Sequence, residues 1–123
     1  MTQRERRSLH QSGADRHHLL WDRKTWSKNP NTKKLRDFWY CQIYIPRELH
    51  QYIHHEIYMV PPPSQETCQE VLQQLRFLAE QDLLSEYDPL EKRLNILIHC
   101  TDSLPKATKT YLKLQLEASK NYF

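Results

Sequence analysis

The alternation of hydrophobic and polar positions predicts an extended, aromatic first part of the chain. Residues 16–26 (RHHLLWDRKTW) have the character of an extended segment, and residues 27–34 (SKNPNTKK) are rich in turn-forming residues. Residues 38–46 (FWYCQIYIP) are aromatic and β-branched and end in proline, which predicts a strand. Together these three segments predict a β-hairpin with a long loop.

The pattern changes to a helical one at Pro46. Proline is tolerated in the first helical turn, where its missing N–H would have no partner in any case. Leu49, Ile53 and Ile57 recur at a spacing of four, which places them on one helix face. The prolines of residues 60–64 (VPPPS) are predicted to end this helix and to form a stiff connector.

Three further helices are predicted after the connector. The first covers about residues 65–85, with its apolar residues on one side. Asp88 is a candidate cap for the second, which begins at Pro89 and runs to about residue 99. Pro105 opens the last helix. The predicted fold class is therefore α+β, with a ββα hairpin–helix unit followed by a small helical bundle.

These elements divide the chain into four predicted segments. Residues 1–15 form a polar, basic arm that we expect to be disordered. Residues 16–59 form the ββα unit, residues 60–64 the connector, and residues 65–123 a helical cap. Two positions outside the histidine groups described below are predicted to be buried, Trp39 in the hairpin core and His99 in an apolar run.

Composition excludes several classes of protein. The chain has 123 residues and one glycine, which argues against glycine-rich phosphate loops and against an all-β protein with many tight turns. The three cysteines are far apart and include no CxxC pair, so a zinc ribbon is excluded and a disulfide framework is disfavoured. No apolar segment of signal-peptide or membrane-spanning type is present, so a soluble, cytoplasmic protein is expected.

The net charge of +3 is unevenly distributed. Residues 1–58 contain 11 Lys/Arg against 6 Asp/Glu, whereas residues 59–123 contain 7 against 9. The excess of positive charge in the first half favours a polyanionic partner such as nucleic acid, although an ordinary solvated surface also explains an excess of this size. The candidate nucleic-acid-binding residues are Arg16, Arg23, Lys24, Lys33, Lys34 and Arg47.

Four of the seven histidines form two tight groups. His50 and His54 lie four apart on the predicted helix, so their side chains lie one above the other and can share a metal ion. His17 and His18 are neighbours on a predicted strand and therefore point to opposite faces. One of them can reach the metal while the other turns toward a substrate.

Residues 16–21 (RHHLLW) and 45–57 (IPRELHQYIHHEI), with the strand between them, resemble the HNH (His-Me finger) nuclease family. The likeness is greatest to its colicin-type and AHH-type branches, and it covers roughly residues 16–58. It implies a ββα-metal fold and a small endonuclease that hydrolyses phosphodiester bonds of nucleic acid, with DNA favoured over RNA. Small proteins of this type occur in phages and mobile elements, and many act as pairs, so a homodimer is an open expectation.

The resemblance also implies roles for the four histidines. His17, His50 and His54 would bind a divalent ion, which could be Mg²⁺, Mn²⁺, Zn²⁺ or Ni²⁺. That ion would contact the scissile phosphate and stabilise the leaving oxygen. His18 would be the catalytic general base that activates water, a role that suits histidine because its pKa lies near neutral pH.

One residue of the family's motif is not matched. The family has an asparagine on or just before the second strand, where it orients the general base. Cys41 is nearest to that position, whereas Asn29 and Asn31 fall earlier, in the predicted loop. Two alternatives therefore stay open. One is a non-catalytic HNH-like module that binds nucleic acid or protein, with a structural metal; the other is a small α+β interaction protein without metal.

Overall fold

A computed structural model of the chain describes residues 13–20, 29–57, 60–100 and 102–122. The described residues form two strands, five α-helices and a short 3₁₀ helix, which confirms the predicted α+β class. In chain order these are β1 (Ala14–His18), α1 (Pro30–Asp37), the 3₁₀ helix (Trp39–Cys41), β2 (Gln42–Pro46), α2 (Arg47–Glu56), α3 (Gln65–Glu80), α4 (Leu90–His99) and α5 (Lys106–Tyr122).

The two strands form an antiparallel pair in which His18 lies opposite Gln42. Side chains alternate between the two faces of a strand, so Asp15 and His17 share one face of β1. Arg16 and His18 share the other face. This alternation decides which residues of β1 reach the helix that packs on the sheet.

Helix α2 follows β2 directly and packs against both strands. Leu49, Ile53 and Ile57 are buried, as their spacing of four predicted. The backbone N–H of Arg47 donates to the carbonyl of Gly13 (3.1 Å), which ties the start of α2 to the start of β1. Gly13 has a φ of 86°, a left-handed conformation that favours glycine.

The remaining helices surround this unit. Helix α1 packs on α3, α4 packs on α5, and α5 also packs on α2. A single hydrophobic cluster joins buried residues from both halves of the chain, among them Leu19, Leu49, Leu75, Leu97 and Leu112. The predicted ββα unit and the predicted helical cap therefore share one core, and α5 lies close to α2.

The segment predicted as a turn, residues 27–34, is helical from Pro30 onward, because α1 begins there. Proline fits the first helical position. Thr32, Leu35 and Arg36 are spaced three or four apart and are buried, on the side from which α1 packs on α3. This face has no periodic apolar pattern in the sequence, because Leu35 is its one apolar residue among the three.

The strand predicted over residues 38–46 forms only in its second half, which is β2. A 3₁₀ helix replaces the first half, and Trp39, predicted to be buried, is 43% exposed. Tyr40 is fully buried instead. The guanidinium of Arg93 donates to the carbonyls of Trp39 and Tyr40, so contacts from a distant helix outweigh the strand propensity of the aromatic residues.

The first strand begins two residues earlier than predicted, inside the segment expected to be a disordered arm (1–15). Residues 1–12 and 21–28 lie outside the described part of the chain. Most of the predicted arm and the end of the predicted extended segment 16–26 therefore cannot be compared with the structure.

The start of α4 also differs from its prediction. The helix begins at Leu90, but the Asp88 side chain does not cap it. The Asp88 carboxylate instead accepts hydrogen bonds from the Tyr40 hydroxyl (2.7 Å) and the Ser85 backbone N–H (3.1 Å). His99, predicted to be buried, is exposed, so the apolar run around it turns a different face to the core.

The helix predicted over about 65–85 is α3, which ends at Glu80. Asp82 takes a left-handed φ of 58°, and the Leu83 N–H donates to the Leu78 carbonyl (3.0 Å). This is the bonding of a Schellman-type helix end.

Among the helices in the described ranges, none has the length and apolar character needed to cross a membrane.

Candidate metal centre

Three of the four predicted histidines converge in the structure. His17 extends from β1, and His50 and His54 extend from one face of α2. Their potential ligand atoms all lie within 4.8 Å of one another. The ring centroid of His17 is 5.4 Å from that of His50 and 6.1 Å from that of His54. We refer to these three residues as the histidine trio.

The spacing within the trio is close to that of ligands on one metal ion. The Nε2 atoms of His50 and the exposed His54 are 2.9 Å apart and share a hydrogen bond, which a bound ion would replace. Two imidazole nitrogens that each lie about 2.0–2.1 Å from an ion are separated by roughly 3.0–3.4 Å. The largest separation that the trio allows, 4.8 Å, exceeds this range by about 1.4 Å. Binding of one ion by all three rings would therefore require the rings to shift relative to one another.

Within the trio, His17 is distinguished by its buried ring nitrogen Nδ1. Its side chain is fully buried, and its Nδ1 has no hydrogen-bond partner among the residues that the structure describes. Burial lowers the pKa of His17 to about 3, although a hydrogen bond with Gln115 acts in the opposite direction, so the ring is neutral near pH 7. Buried nitrogens are nearly always hydrogen-bonded, and a neutral ring nitrogen without a proton can bind a cation.

A second buried nitrogen among the described residues, Nε of Arg36, also lacks a hydrogen-bond partner. It differs in kind from the nitrogen of His17, because a guanidinium only donates hydrogen bonds and carries a positive charge. The Arg36 side chain is paired with Asp37 through NH1 (2.6 Å). Of these two buried nitrogens, only Nδ1 of His17 can offer a lone pair to a metal ion.

The other ring nitrogen of His17 is occupied by α5. Its Nε2 lies 2.7 Å from Oε1 of Gln115, and Nε2 of Gln115 donates to the carbonyl of Leu19 at 2.7 Å. Gln115 is as fully buried as His17. The helical cap therefore contributes a side chain that touches the trio, and the nitrogen of His17 left for a metal is Nδ1.

His50 is oriented by a carboxylate. Its Nδ1 lies 3.2 Å from Oδ2 of Asp15, which shares a face of β1 with His17. Burial raises the pKa of Asp15, but its hydrogen bonds with Arg47 and His50 outweigh burial and lower it, so the group is ionised. A carboxylate that accepts the Nδ1 proton of His50 leaves the lone pair on Nε2, the nitrogen that is hydrogen-bonded to Nε2 of His54. Carboxylates commonly orient metal-bound histidines through the same contact.

The predicted general base does not join the trio. His18 is the last residue of β1, and strand alternation places it with Arg16 on the opposite face from His17. The group of residues that could share an ion does not include His18. The structure thus separates the predicted base from the predicted ligands, as the opposite directions of the two neighbours implied.

The predicted nucleic-acid-binding residues are only partly described. Lys33 and Lys34 are exposed on α1, and Arg16 is half-buried on β1. Arg47 is exposed and pairs with Asp15 at 3.2 Å, so its guanidinium lies beside the trio. Arg23 and Lys24 lie outside the described residues.

The position where the resemblance expects an asparagine is occupied by a buried thiol. Cys41 is fully buried, and burial raises its pKa well above the ordinary range. The amide of Asn31 donates to the carbonyl of Gln65 (3.4 Å), which joins α1 to α3. Asn29 precedes α1, and its carbonyl accepts from the hydroxyl of Thr32 (2.8 Å). Asn31 therefore contributes to the docking of α1 on α3, whereas the carbonyl of Asn29 is bonded to the first turn of α1.

Sequence reasoning missed two residues that support the trio, Asp15 and Gln115. Asp15 left a signal, because it lies two positions before His17 and residues at that spacing share a strand face. Gln115 could not be found in this way, since it is one polar residue of an amphipathic helix, 98 positions away from His17.

No protein-family model, curated protein or solved structure matches this chain.

Proposed function

We propose that this protein is a small metal-dependent endonuclease that binds a divalent ion through His17, His50 and His54 and hydrolyses phosphodiester bonds of nucleic acid. The observation that carries the proposal is the buried Nδ1 of His17, which lacks a hydrogen-bond partner beside two further imidazoles. A buried polar atom without a partner costs free energy of about 1–3 kcal/mol, which a bound ion would recover. The nuclease activity rests on the HNH-like order of the histidines in the sequence.

The chemistry of the ligands favours some ions over others. All three members of the trio are imidazoles, and the nearest carboxylate, Asp15, is occupied by His50 and Arg47. Imidazole nitrogens suit Zn²⁺ and Ni²⁺, whereas Mg²⁺ and Mn²⁺ prefer oxygen ligands. Of the four candidate ions, we therefore expect Zn²⁺ or Ni²⁺ to bind most tightly.

The residues around the trio suit a hydrolytic reaction. An ion bound by the trio would supply Lewis-acid stabilisation to a phosphate oxygen. On the resemblance, His18 would take the proton of the attacking water, although strand alternation places it on the opposite face of β1 from His17. Arg16, on the same face as His18, would contact the phosphate backbone.

The test combines metal exchange with histidine variants. The chelated protein is given Zn²⁺, Ni²⁺, Mg²⁺ or Mn²⁺, and cutting of plasmid DNA is measured, with duplex and single-stranded RNA in parallel. We expect cutting to return with Zn²⁺ or Ni²⁺. His18→Ala should lower the cutting rate at least about 100-fold with unchanged zinc affinity, because general-base catalysis contributes about 10²–10⁴-fold. His54→Ala should lose both zinc binding and cutting.

His55→Ala is the matched control, because His55 is an exposed neighbour of His54 on the same helix and lies outside the trio. It should bind zinc and cut like the parent protein. Cutting by His18→Ala at the parent rate would exclude the base assignment. Zinc binding by His54→Ala with parent affinity would exclude the metal centre.

A second candidate function is supported by Cys41. The resemblance expects an asparagine near this position to orient the base, and a thiol in the core cannot do so. A non-catalytic relative would bind one zinc ion per chain and be stabilised by it, without turnover. The same samples separate the two functions, since only the nuclease cuts once zinc is bound.

A further inference from the structure

We propose that Gln115, on α5, determines which nitrogen of His17 binds the metal. This inference deepens the proposed function, because it rests on the metal centre formed by the histidine trio. It assigns to the helical cap a positioning residue for that centre, far from the motif that predicted it. The argument has three steps, concerning the amide of Gln115, the ring proton of His17 and the metal.

The orientation of the Gln115 amide follows from the carbonyl of Leu19. That carbonyl can only accept a hydrogen bond, and it lies 2.7 Å from one end of the amide. The NH₂ group must occupy that end, because two carbonyl oxygens at this distance would repel each other. The amide oxygen of Gln115 is therefore the atom that lies 2.7 Å from Nε2 of His17.

The proton of the His17 ring follows from the amide. An amide oxygen only accepts, so Nε2 of His17 must carry the ring hydrogen. A neutral imidazole has one such hydrogen, which leaves Nδ1 with its lone pair. Nδ1 is the nitrogen without a hydrogen-bond partner, in a side chain that is fully buried.

Without this amide, the ring could place its proton on Nδ1. An N–H at that position would point its hydrogen at the cation site, and the ring would have to change tautomer before binding. Residues that fix the tautomer of a metal-binding histidine typically contribute about 10–100-fold to metal affinity. Docking of α5 and loading of the metal centre are coupled through this one side chain.

The first experiment needs no variant. Long-range ¹H–¹⁵N correlation spectra of the chelated parent protein report which nitrogen of each histidine carries hydrogen. We expect the hydrogen of His17 on Nε2. A His17 ring with its hydrogen on Nδ1 would overturn the proposal, whatever the protein binds or cuts.

The second experiment measures zinc affinity by competition with a chromophoric chelator. Gln115→Met keeps the length of the side chain and removes both hydrogen bonds, so affinity should fall about 10–100-fold. Gln115→Glu is the conservative variant, because a carboxyl oxygen still accepts from Nε2 of His17 in either protonation state. It should recover at least half of the loss on a logarithmic scale.

Gln74→Met is the matched control, since it makes the same change at an exposed position of α3. It should bind zinc like the parent. Parent-like affinity and an unchanged tautomer in Gln115→Met would overturn the role of Gln115 while leaving the metal centre intact. Failure of the parent itself to bind zinc would instead exclude the metal centre. Should Gln115→Met fail to fold, the parent spectrum and Gln115→Glu decide.

Discussion

Two networks of polar side chains, each with buried members, differ in how completely those buried members are hydrogen-bonded. We call the first the Arg93 network, formed by Arg93, Asp88 and Tyr40; the second consists of the histidine trio with Asp15 and Gln115. All three nitrogens of the Arg93 guanidinium donate to backbone carbonyls. The acceptors are the carbonyls of Trp39, Tyr40, Gln42, Glu86 and Asp88.

The second network keeps one nitrogen, Nδ1 of His17, without a partner. Fully hydrogen-bonded buried groups are typical of a scaffold, whereas an unsatisfied buried acceptor needs an explanation, and a bound ion is one such explanation. From this comparison we expect the Arg93 network to contribute stability, and the proposed metal centre to contribute binding. Substitutions in the first should change folding whether or not metal is present, and substitutions in the second should change metal affinity.

The largest expected effect is that of Arg93→Met. Methionine retains much of the packing but leaves several carbonyls of the 3₁₀ helix and the 85–88 turn without their donor. We expect the free energy of unfolding to fall by about 3–5 kcal/mol, as when one partner of a buried charged network is removed. Urea denaturation in the presence of chelator measures it.

Arg76→Met, an exposed position on α3, should change the same quantity by less than about 0.5 kcal/mol. A loss of under about 1 kcal/mol in Arg93→Met would mean that the Arg93 network contributes no more than an ordinary surface group. The division of the molecule into a scaffold region and a binding region would then be wrong.

Asp15→Asn should have a smaller effect than Arg93→Met, and it should change zinc affinity rather than the free energy of unfolding. The Asp15 side chain is about one quarter exposed, so its removal costs little folding free energy. It is the group that orients His50, and we expect zinc affinity to fall about 10–100-fold. Asp102→Asn, an exposed acidic position, should leave affinity unchanged. A fall in stability with unchanged zinc affinity would reverse the assignment.

The pH dependence of stability should also differ between the two networks in the chelated protein. Burial lowers the pKa of His17 from 6.5 to about 3, so between these values the unfolded state binds a proton that the folded state does not. The free energy of unfolding therefore declines as the pH falls from about 6.5 toward 3, by up to about 1.4 kcal/mol per pH unit.

Asp88 affects the pH dependence of stability at lower pH than His17 does. Burial raises its pKa, but hydrogen bonds from Tyr40, Ser85 and Lys92 outweigh burial and hold it below 3.8. Its contribution is present above that pH and is lost only below it. Urea unfolding between pH 7 and 3 should show a reduced slope above pH 4 in His17→Asn, whereas Asp88→Asn keeps the parent slope there. Equal slopes in the parent and His17→Asn would contradict the burial of a neutral imidazole.

The sequence predicted the elements whose signals are local. The spacing of Leu49, Ile53 and Ile57 indicated α2, and the same helical period placed His50 and His54 together. Each of these inferences depends on residues within a few turns of one another. The α+β class followed because a strand-like segment and several helical ones are each visible alone.

Features that depend on distant partners could not be predicted. Trp39 and Tyr40 are both aromatic residues that favour strands, so the sequence does not show which of them is buried. Tyr40 is the buried one, and it contacts Asp88 and Arg93. Helix α1 was read as a turn because its buried face includes a threonine and an arginine, which become buried only against α3. Local propensity gives way in both places to contacts between elements.

The contact between Gln115 and His17 joins residues that are synthesised at different times, because they lie 98 positions apart in the chain. A ribosome produces the chain from β1 toward α5, so the three imidazoles emerge well before the amide that aligns the first of them. A nascent polypeptide that has released only β1 and α2 carries all the ligands in an incomplete setting. The proposed metal centre would therefore be aligned only after α5 has left the ribosomal exit tunnel.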